Sequence, residues 1–198
     1  MAFVAPLTLA GRHVRLEPLG REHVDALGAA AADGELSRLW FTGVPAPEAT
    51  AAWVGAALEM RERCGALPFV VRDLASGTIV GSTRYFNVEA AHRRLEIGHT
   101  WYARRAQRTA INTECKLLLL THAFETLGCI AVEFRTSFFN FASRAAIARL
   151  GARQDGILRQ HQILPDGTLR DTVVFSIVAG EWPAVKRHLR FELDRPRG

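Results

Sequence analysis

The sequence predicts a mixed α/β domain, and three features of the chain lead to that prediction. Strand-like and helix-like segments follow the order strand, two helices, three strands, helix, strand, helix, two strands. Two pairs of strand-like segments are joined by short turn sequences, which indicates antiparallel hairpins. One apolar helix lies between two strand-like segments, which indicates a parallel pair. We therefore expect a mostly antiparallel sheet of about seven strands with about four helices.

The first half of the chain alternates between short strands and alanine-rich helices. Residues 13–17 alternate in polarity and predict the first strand. Residues 21–33 and 47–63 predict two helices, the second opened by proline, which the first helical turn tolerates. Residues 67–73 and 78–87 predict the two strands of a hairpin.

Residues 94–101 predict a further strand, with the sequence RLEIGHTW. Alternation places two sets of side chains on opposite faces, namely Leu95, Ile97, His99 and Trp101 against Glu96, Gly98 and Thr100. A glycine inside a strand often marks a bulge, so Gly98 leaves the faces beyond it open.

Residues 113–127 predict a helix that is apolar over most of its circumference. Asn112 or Thr113 can cap its first amides, Glu114 suits the positive end of its dipole, and Gly128 can end it. We expect this helix to be buried against the sheet.

The last part of the chain adds a strand, a helix and a hairpin, at residues 130–136, 140–150 and 157–178, with Pro165, Asp166 and Gly167 at the hairpin turn. We expect one domain over residues 1–183 and a short basic C-terminal tail over residues 184–198.

The composition, 48% hydrophobic and 23% charged, is ordinary for a globular protein. No run of about 18 apolar residues occurs, and no basic residue precedes the apolar N-terminal stretch, so neither a membrane span nor a secretion signal is expected. Cys64, Cys115 and Cys129 are odd in number and lack the spacing of metal ligands. These features predict a reduced cytoplasmic protein without a metal.

The formal net charge of +5 raises the question of nucleic-acid binding. Five basic and two acidic residues after position 185 contribute +3 of that charge, so the rest of the chain is nearly balanced. We therefore do not favour nucleic acid as the partner.

An arginine-rich loop at residues 103–112 leads into the apolar helix. A helix N-terminus presents unpaired backbone amides and the positive end of the helix dipole, and Arg104, Arg105 and Arg108 add charge. A surface turn with a helix cap explains the same residues, and both interpretations stay open on physical grounds alone.

Four stretches, in this order and at this spacing, resemble the GCN5-related N-acetyltransferase superfamily and its RimJ/RimL-like branch. They are residues 95–101 (LEIGHTW), 107–112 (QRTAIN), 140–151 (NFASRAAIARLG) and the hairpin 158–176. The resemblance covers the span from His13 to Pro183. It implies a twisted sheet with a splayed parallel pair.

The resemblance also implies a reaction. An acetyl group would pass from acetyl-CoA to a primary amine by direct attack in a ternary complex. A protein N-terminal α-amine is the first expectation, a small-molecule amine is an alternative, and a homodimer is possible. A catalytically silent acyl-CoA binder or a basic interaction module is the alternative from another class.

The residues expected to bind acetyl-CoA lie on the strand, the loop and the second helix. By resemblance they are Gly98, His99, Thr100, Trp101, Gln107, Arg108, Thr109, Ala110, Ile111, Asn112, Thr113, Asn140 and Ser143. The family loop has the pattern Arg/Gln-x-x-Gly-x-Gly/Ala, and here Ala110 and Asn112 replace glycines. Glycine favours positive φ and close approach to a ligand, so these departures bear on cofactor affinity.

Three residues are candidates for catalysis by the same resemblance. Glu96 would be the general base, and its alternative is an ion pair with Arg94 or Arg84. Ser143 would protonate the departing thiolate, and Tyr102 is the substitute acid; packing is the alternative for each. His99 and His161 are lesser candidates for the base.

Overall fold

The computed structural model describes residues 3–195, which form one eight-stranded sheet with five α-helices. The strands are β1 (Leu9–Ala10), β2 (Val14–Pro18), β3 (Leu67–Asp73), β4 (Ile79–Glu89), β5 (Arg94–Tyr102), β6 (Ala131–Ser137), β7 (Arg153–Ile163) and β8 (Leu169–Val178). The helices are α1 (Val24–Ala32), α2 (Thr50–Cys64), α3 (Ala110–Thr121), α4 (Phe141–Ala148) and α5 (Trp182–Asp194). The mixed α/β prediction is confirmed. The structure has one strand and one helix more than predicted, namely β1 and α5.

The sheet order is β1-β2-β3-β4-β5-β6-β8-β7, and neighbouring strands are antiparallel except β5 and β6. The parallel pairing joins residues 94–96 of β5 to residues 131–133 of β6. Beyond Glu96, β5 continues to Tyr102 without pairing to β6. The two strands therefore part at Glu96, as the predicted splayed pair requires.

Each face of the sheet carries its own hydrophobic core. Helices α3 and α5 pack on one face, where Cys115, Leu119 and Leu189 are fully buried. Helices α1 and α2 cover the other face, where Leu27 and Val54 are fully buried. Among the described residues, no helix has the length and apolar character needed to cross a membrane.

A bulge in β5 corrects the predicted faces of that strand. His99 has φ of 48°, and the β4–β5 register shifts between the Arg84–Gly98 and Ser82–Trp101 pairs. The extra residue moves Trp101 into the core beneath α1 and α2, opposite the side that alternation predicted. Tyr102 takes the position on the α3 side instead.

Helix α3 begins earlier than its sequence pattern predicted. Its first residue is Ala110, and the side chain of Thr109 caps it by accepting a hydrogen bond from the Ile111 amide at 3.3 Å. The predicted caps Asn112 and Thr113 therefore lie inside the first turn. A π-helical turn follows α3 and ends before Gly128.

Glu114 attaches α3 to the other end of the sheet. Its side chain accepts hydrogen bonds from the backbone amides of Arg12, His13 and Val14 at 2.9, 2.6 and 2.8 Å. The predicted interaction with the helix dipole is thus secondary to this contact, which satisfies three amides of the turn before β2.

The basic segment predicted as a tail is helical as far as Asp194. Val185 and Leu189 are buried in the core on the α3 side, and Trp182 stacks on Phe124. These contacts make α5 part of the packed structure because its apolar stripe faces α3.

Candidate active site

The candidate site lies where β5 and β6 part, and four segments end there or nearby. These are the β5 bulge, the loop at residues 103–109, the start of α3 and the start of α4. The guanidinium of Arg149, just after α4, lies 3.4 Å from the Thr113 hydroxyl in α3. This contact places the C-terminal end of α4 beside the first turn of α3, and Asn140 and Ser143 lie at the other end of α4.

Two polar side chains stabilise the loop before α3 by hydrogen bonds to backbone carbonyls. The Gln107 amide donates to the Tyr102 carbonyl at 2.9 Å, and the Thr109 hydroxyl donates to the Ala106 carbonyl at 2.7 Å. Within the described residues, the backbone N–H groups of Arg108 and Thr109 have no hydrogen-bond partner. The first-turn amides of Ala110 and Asn112 have no partner inside the helix. The loop therefore presents a cluster of donors that fits a phosphate group.

The left-handed backbone in this loop falls on Arg108, whose φ is 59°. Ala110 and Asn112, which replace the family glycines, lie in the first turn of α3 and are not at positive φ. The conformational reason for glycine therefore does not apply at either position.

Two of the loop arginines are free to meet an anion. Arg105 forms an ion pair with Asp33 at 2.8 Å. Arg104 and Arg108 are exposed, and among the described residues neither has an ion-pair partner. Ile111 and Thr113 point inward and are buried, so they could contribute only backbone groups to a ligand.

Glu96 stands at the last position of β5 that pairs with β6 and is 3% exposed. Its Oε2 accepts a hydrogen bond from Asn87 at 2.9 Å and lies 3.5 Å from Nε of Arg135. Within the described residues, Oε1 has no hydrogen bond. Burial raises the pKa of Glu96 to about 7, against the opposing effects of Asn87 and Arg135. A carboxyl in this state can accept a proton near neutral pH.

Glu96 pairs with neither of the arginines proposed as its alternative partners, and the arginine at ion-pair distance from it is Arg135. Arg94 pairs with Glu133, and Arg135 also contacts Glu133 at 2.9 Å. Arg84 forms no ion pair with Glu96. Sequence reasoning missed Asn87, Glu133 and Arg135, because only the pairing of β4, β5 and β6 brings them to Glu96.

The β5 bulge is crowded on both sides. The position of a Cβ on Gly98 would lie 2.6 Å from the Phe86 ring and 3.4 Å from Oε1 of Glu96. The His99 ring packs edge-on against Phe86. Thr100 faces α3, where its hydroxyl meets the Lys116 amine at 2.8 Å. A larger residue at position 98 would therefore require the Phe86 ring to move.

His99 is a weak candidate for the base. Desolvation of the ring and, to a smaller degree, the positive charges of Arg84 and Arg170 lower the pKa of His99 to about 4. The residue as a whole is nevertheless exposed. His161 is exposed on β7, where its Nδ1 lies 3.1 Å from the Thr172 hydroxyl.

Asn140 and Ser143 lie at the N-terminus of α4. The Asn140 side-chain oxygen caps the helix by accepting from the Ser143 amide at 3.0 Å. This leaves the side-chain NH₂ of Asn140 available, so the capping role does not exclude ligand contact. Ser143 is half-buried, and among the described residues its hydroxyl has no hydrogen-bond partner.

Tyr102 lies apart from Glu96. Its ring is buried in the core on the α3 side, and its hydroxyl is next to Cys115 without an acceptor. Burial raises its pKa well above the usual range. Trp101 lies on the opposite face, where its indole N–H is buried without an acceptor.

In the part of the chain that the structure describes, no cluster of side chains suits a metal ion.

The fold is that of the acyl-CoA N-acyltransferases. Three features identify this class: the splayed sheet, the free amides before α3 and the buried carboxyl where the strands part. The acetyltransferase (GNAT) domain model matches residues 13–153. The chain therefore belongs to the GCN5-related N-acetyltransferase (GNAT) family and is an acetyl-CoA-dependent N-acetyltransferase.

Individual proteins agree with this assignment. A GCN5-related N-acetyltransferase from Brucella melitensis superposes with a TM-score of 0.85 at 32% identity, over 96% of this chain and 86% of that one. RimJ of Mycobacterium smegmatis shares the fold, with a TM-score of 0.76 at 24% identity over 94% of this chain and 95% of that one. YdaF of Bacillus subtilis (strain 168), provisionally named a ribosomal N-acetyltransferase, is 30% identical over 113 residues. That match covers 57% of this chain and 61% of YdaF.

Proposed function

We propose that this acetyltransferase modifies the α-amine at the N-terminus of a protein, as RimJ/RimL-like enzymes do, by direct attack in a ternary complex. The observation that carries the proposal is Glu96, a buried carboxyl with one free oxygen at the splay and a pKa of about 7. The name of YdaF as a ribosomal N-acetyltransferase supports a protein acceptor, and the RimJ structure, solved with CoA-disulfide, supports the cofactor.

Acetyl-CoA supplies the acetyl group as a reactive thioester when it is bound. The amides of Arg108 and Thr109, with the charges of Arg104 and Arg108, would hold its pyrophosphate. The side-chain NH₂ of Asn140 would bind the pantetheine arm. Backbone amides from Gly98 to Trp101 would orient the thioester carbonyl and stabilise negative charge on its oxygen.

Glu96 would accept a proton from the incoming amine through its free Oε1. Because an α-amine has a pKa of roughly 7.7–8.0, its acidity is close to that of Glu96. A lysine or polyamine nitrogen, with a pKa of roughly 10.4, matches Glu96 less well. The Ser143 hydroxyl would donate a proton to the departing thiolate, which leaves as the thiol of CoA.

The test is an assay of thiol release with two matched peptides. One has a free N-terminal α-amine and no lysine, and the other has an acetylated N-terminus and one lysine. We expect turnover of the first peptide at a kcat/KM at least about tenfold higher, since proton transfer favours the matched amine. Faster turnover of the lysine peptide, or of a free polyamine, would favour a different acceptor.

Binding of acetyl-CoA tests the loop separately, by calorimetry. Arg108→Glu places negative charge beside the free amides and should weaken binding by about tenfold or more. Arg187→Glu makes the same charge change at an exposed position of α5 and should bind normally. Equal affinities for the two variants would move the cofactor site away from this loop. Normal binding without turnover of any amine would instead favour the silent acyl-CoA binder.

A further inference from the structure

Arg84 of β4 is a buried cation that has no acidic partner within residues 3–195. The residue is 3% exposed, and its guanidinium lies 5.2 Å from the centre of the Trp53 ring. Its only hydrogen-bond partner among the described residues is the Met60 sulfur, 3.5 Å from Nη1, and Nε has no partner. Burial lowers the pKa of Arg84 to about 10, and no carboxylate offsets that effect, so the group stays charged at neutral pH.

Several other arginines of the sheet meet carboxylates. Arg72 makes two contacts of 2.8 and 2.9 Å with Glu17, and Arg94 and Arg135 both contact Glu133. Burying a charge without a counter-ion is unfavourable, so buried charges in proteins are normally paired. The arrangement around Arg84 therefore lacks an anion.

A second unsatisfied donor lies in the same place. The Trp101 ring packs edge-on against Trp53 with ring centres 6.1 Å apart, and its indole N–H is buried without an acceptor. Arg84 and Trp101 thus flank one ring of α2, and each has a donor unused. Arg170 of β8 adds a third buried N–H without an acceptor, and its charge acts on both Glu96 and His99. The α2 face of the sheet near Glu96 thus holds several buried donors that lack an oxygen acceptor among the described residues.

The position of Arg84 relative to Glu96 limits which ligand could supply that oxygen. Across the β4–β5 pair, Arg84 is opposite Gly98 and Phe86 is opposite Glu96, so all four positions share the face that carries α2. Arg84 and Glu96 are thus diagonal neighbours on adjacent strands, about 7–8 Å apart. An acceptor that presents its amine to Glu96 would bring a group a few bonds away toward Arg84.

We propose that Arg84 binds a carboxylate of the acceptor, so that the preferred substrate is an amine with an acidic group close to it. This inference rests on the proposed acetylation of an amine at Glu96. A protein N-terminus whose first residue is aspartate or glutamate has this chemistry, and so does a free acidic amino acid. Met60 covers the guanidinium, and its flexible side chain can move aside when the carboxylate enters.

The test compares kcat/KM for lysine-free, C-terminally amidated peptides that differ only in having aspartate or asparagine first, with free aspartate as a separate acceptor. We expect the wild type to prefer the aspartyl peptide by about 10- to 100-fold, since hydrogen bonds to charged groups are strong. Arg84→Met should bring the ratio close to one. Arg187→Met removes a charge from exposed α5 and should keep the wild-type ratio. Preference for free aspartate over the aspartyl peptide would assign the carboxylate to an amino acid.

Equal kcat/KM for the two peptides in the wild type, or an unchanged ratio in Arg84→Met, would overturn the proposal. Arg84→Gln is the second variant if the methionine variant does not fold. If no peptide is acetylated, the N-terminal function fails, and calorimetry with free aspartate still tests Arg84. Binding by the wild type that Arg84→Met abolishes would support the carboxylate site, and absence of binding by the wild type would overturn it.

Discussion

Two buried glutamates, Glu96 and Glu114, differ in how completely the protein satisfies them. They are 3% and 4% exposed, so burial does not distinguish them. Both oxygens of Glu114 accept backbone hydrogen bonds from the turn before β2, whereas Oε1 of Glu96 accepts none among the described residues. Unused hydrogen-bonding capacity, more than burial, therefore separates the carboxyl suited to chemistry from the one that holds the structure.

The buried cations show the same contrast. Lys116 donates to the hydroxyls of Thr100 and Thr83 at 2.8 and 3.4 Å, so oxygen acceptors surround it. In the part of the chain that the structure describes, the guanidinium of Arg84, on the opposite face, contacts a thioether and an aromatic ring and no oxygen acceptor. The α3 side of the sheet thus supplies oxygen acceptors to its buried cation, although the Tyr102 hydroxyl there has no partner among the described residues, and the α2 side keeps donors and one carboxylate oxygen for a ligand.

Glu96→Gln is expected to have the largest effect. Removing the base should lower kcat/KM by about 10²–10³-fold at pH 8, because a positioned base contributes roughly that much. In the wild type, kcat/KM should rise with pH through an inflection near 7, the pKa of Glu96, and the variant should lack that inflection. A pH–rate profile measures both. Retention of the inflection in the variant would assign it to another group.

The stability of the same variant provides an independent check. The folded-state pKa of about 7 lies above the ordinary 4.5, so the stabilising contribution is complete below pH 4.5 and is lost as pH rises through 7. The wild type should therefore lose up to roughly 3 kcal/mol of unfolding free energy between pH 4.5 and 8, and Glu96→Gln should not. Urea titrations at several pH values would show a parallel decline in both proteins if Glu96 were not responsible.

Glu114→Gln should affect stability and leave turnover per folded molecule intact. An amide group in place of the carboxylate leaves at least one buried N–H facing another donor, which costs about 2 kcal/mol. Urea unfolding of this variant measures the loss, with Glu62→Gln on the exposed side of α2 as the control. A loss below about 0.5 kcal/mol would mean that water replaces the missing acceptor.

The sequence predicted the elements more accurately than it predicted the contacts of the site. Polarity alternation and turn residues are local signals, so strand β3 and the β5–α3–β6 crossover are where they were expected. The Asn87 and Arg135 contacts with Glu96 depend on strand register, which no local pattern specifies. The unpaired state of Arg84 has the same cause.

Two errors had a signal in the sequence. The basic residues led to the prediction of a tail over residues 184–198. Val185 and Leu189 are four residues apart, a helical spacing, and they form the buried stripe of α5. Thr109 is followed by Ala110 and by an apolar residue, a pattern that suits an N-cap, but Asn112 and Thr113 were preferred.

The smallest expected effect concerns the glycines that the family loop has and this chain lacks. Ala110→Gly should lower the unfolding free energy by a few tenths to about 1 kcal/mol, because Ala110 is helical and glycine gains nothing there. Acetyl-CoA affinity should stay within about twofold, since the left-handed residue is Arg108. Calorimetry and urea unfolding measure both quantities, and Asn112→Gly tests the neighbouring position. Tighter binding of acetyl-CoA by Ala110→Gly would show that the methyl group of Ala110 crowds the phosphate. The family glycine would then be explained by close approach of the ligand and not by its backbone φ.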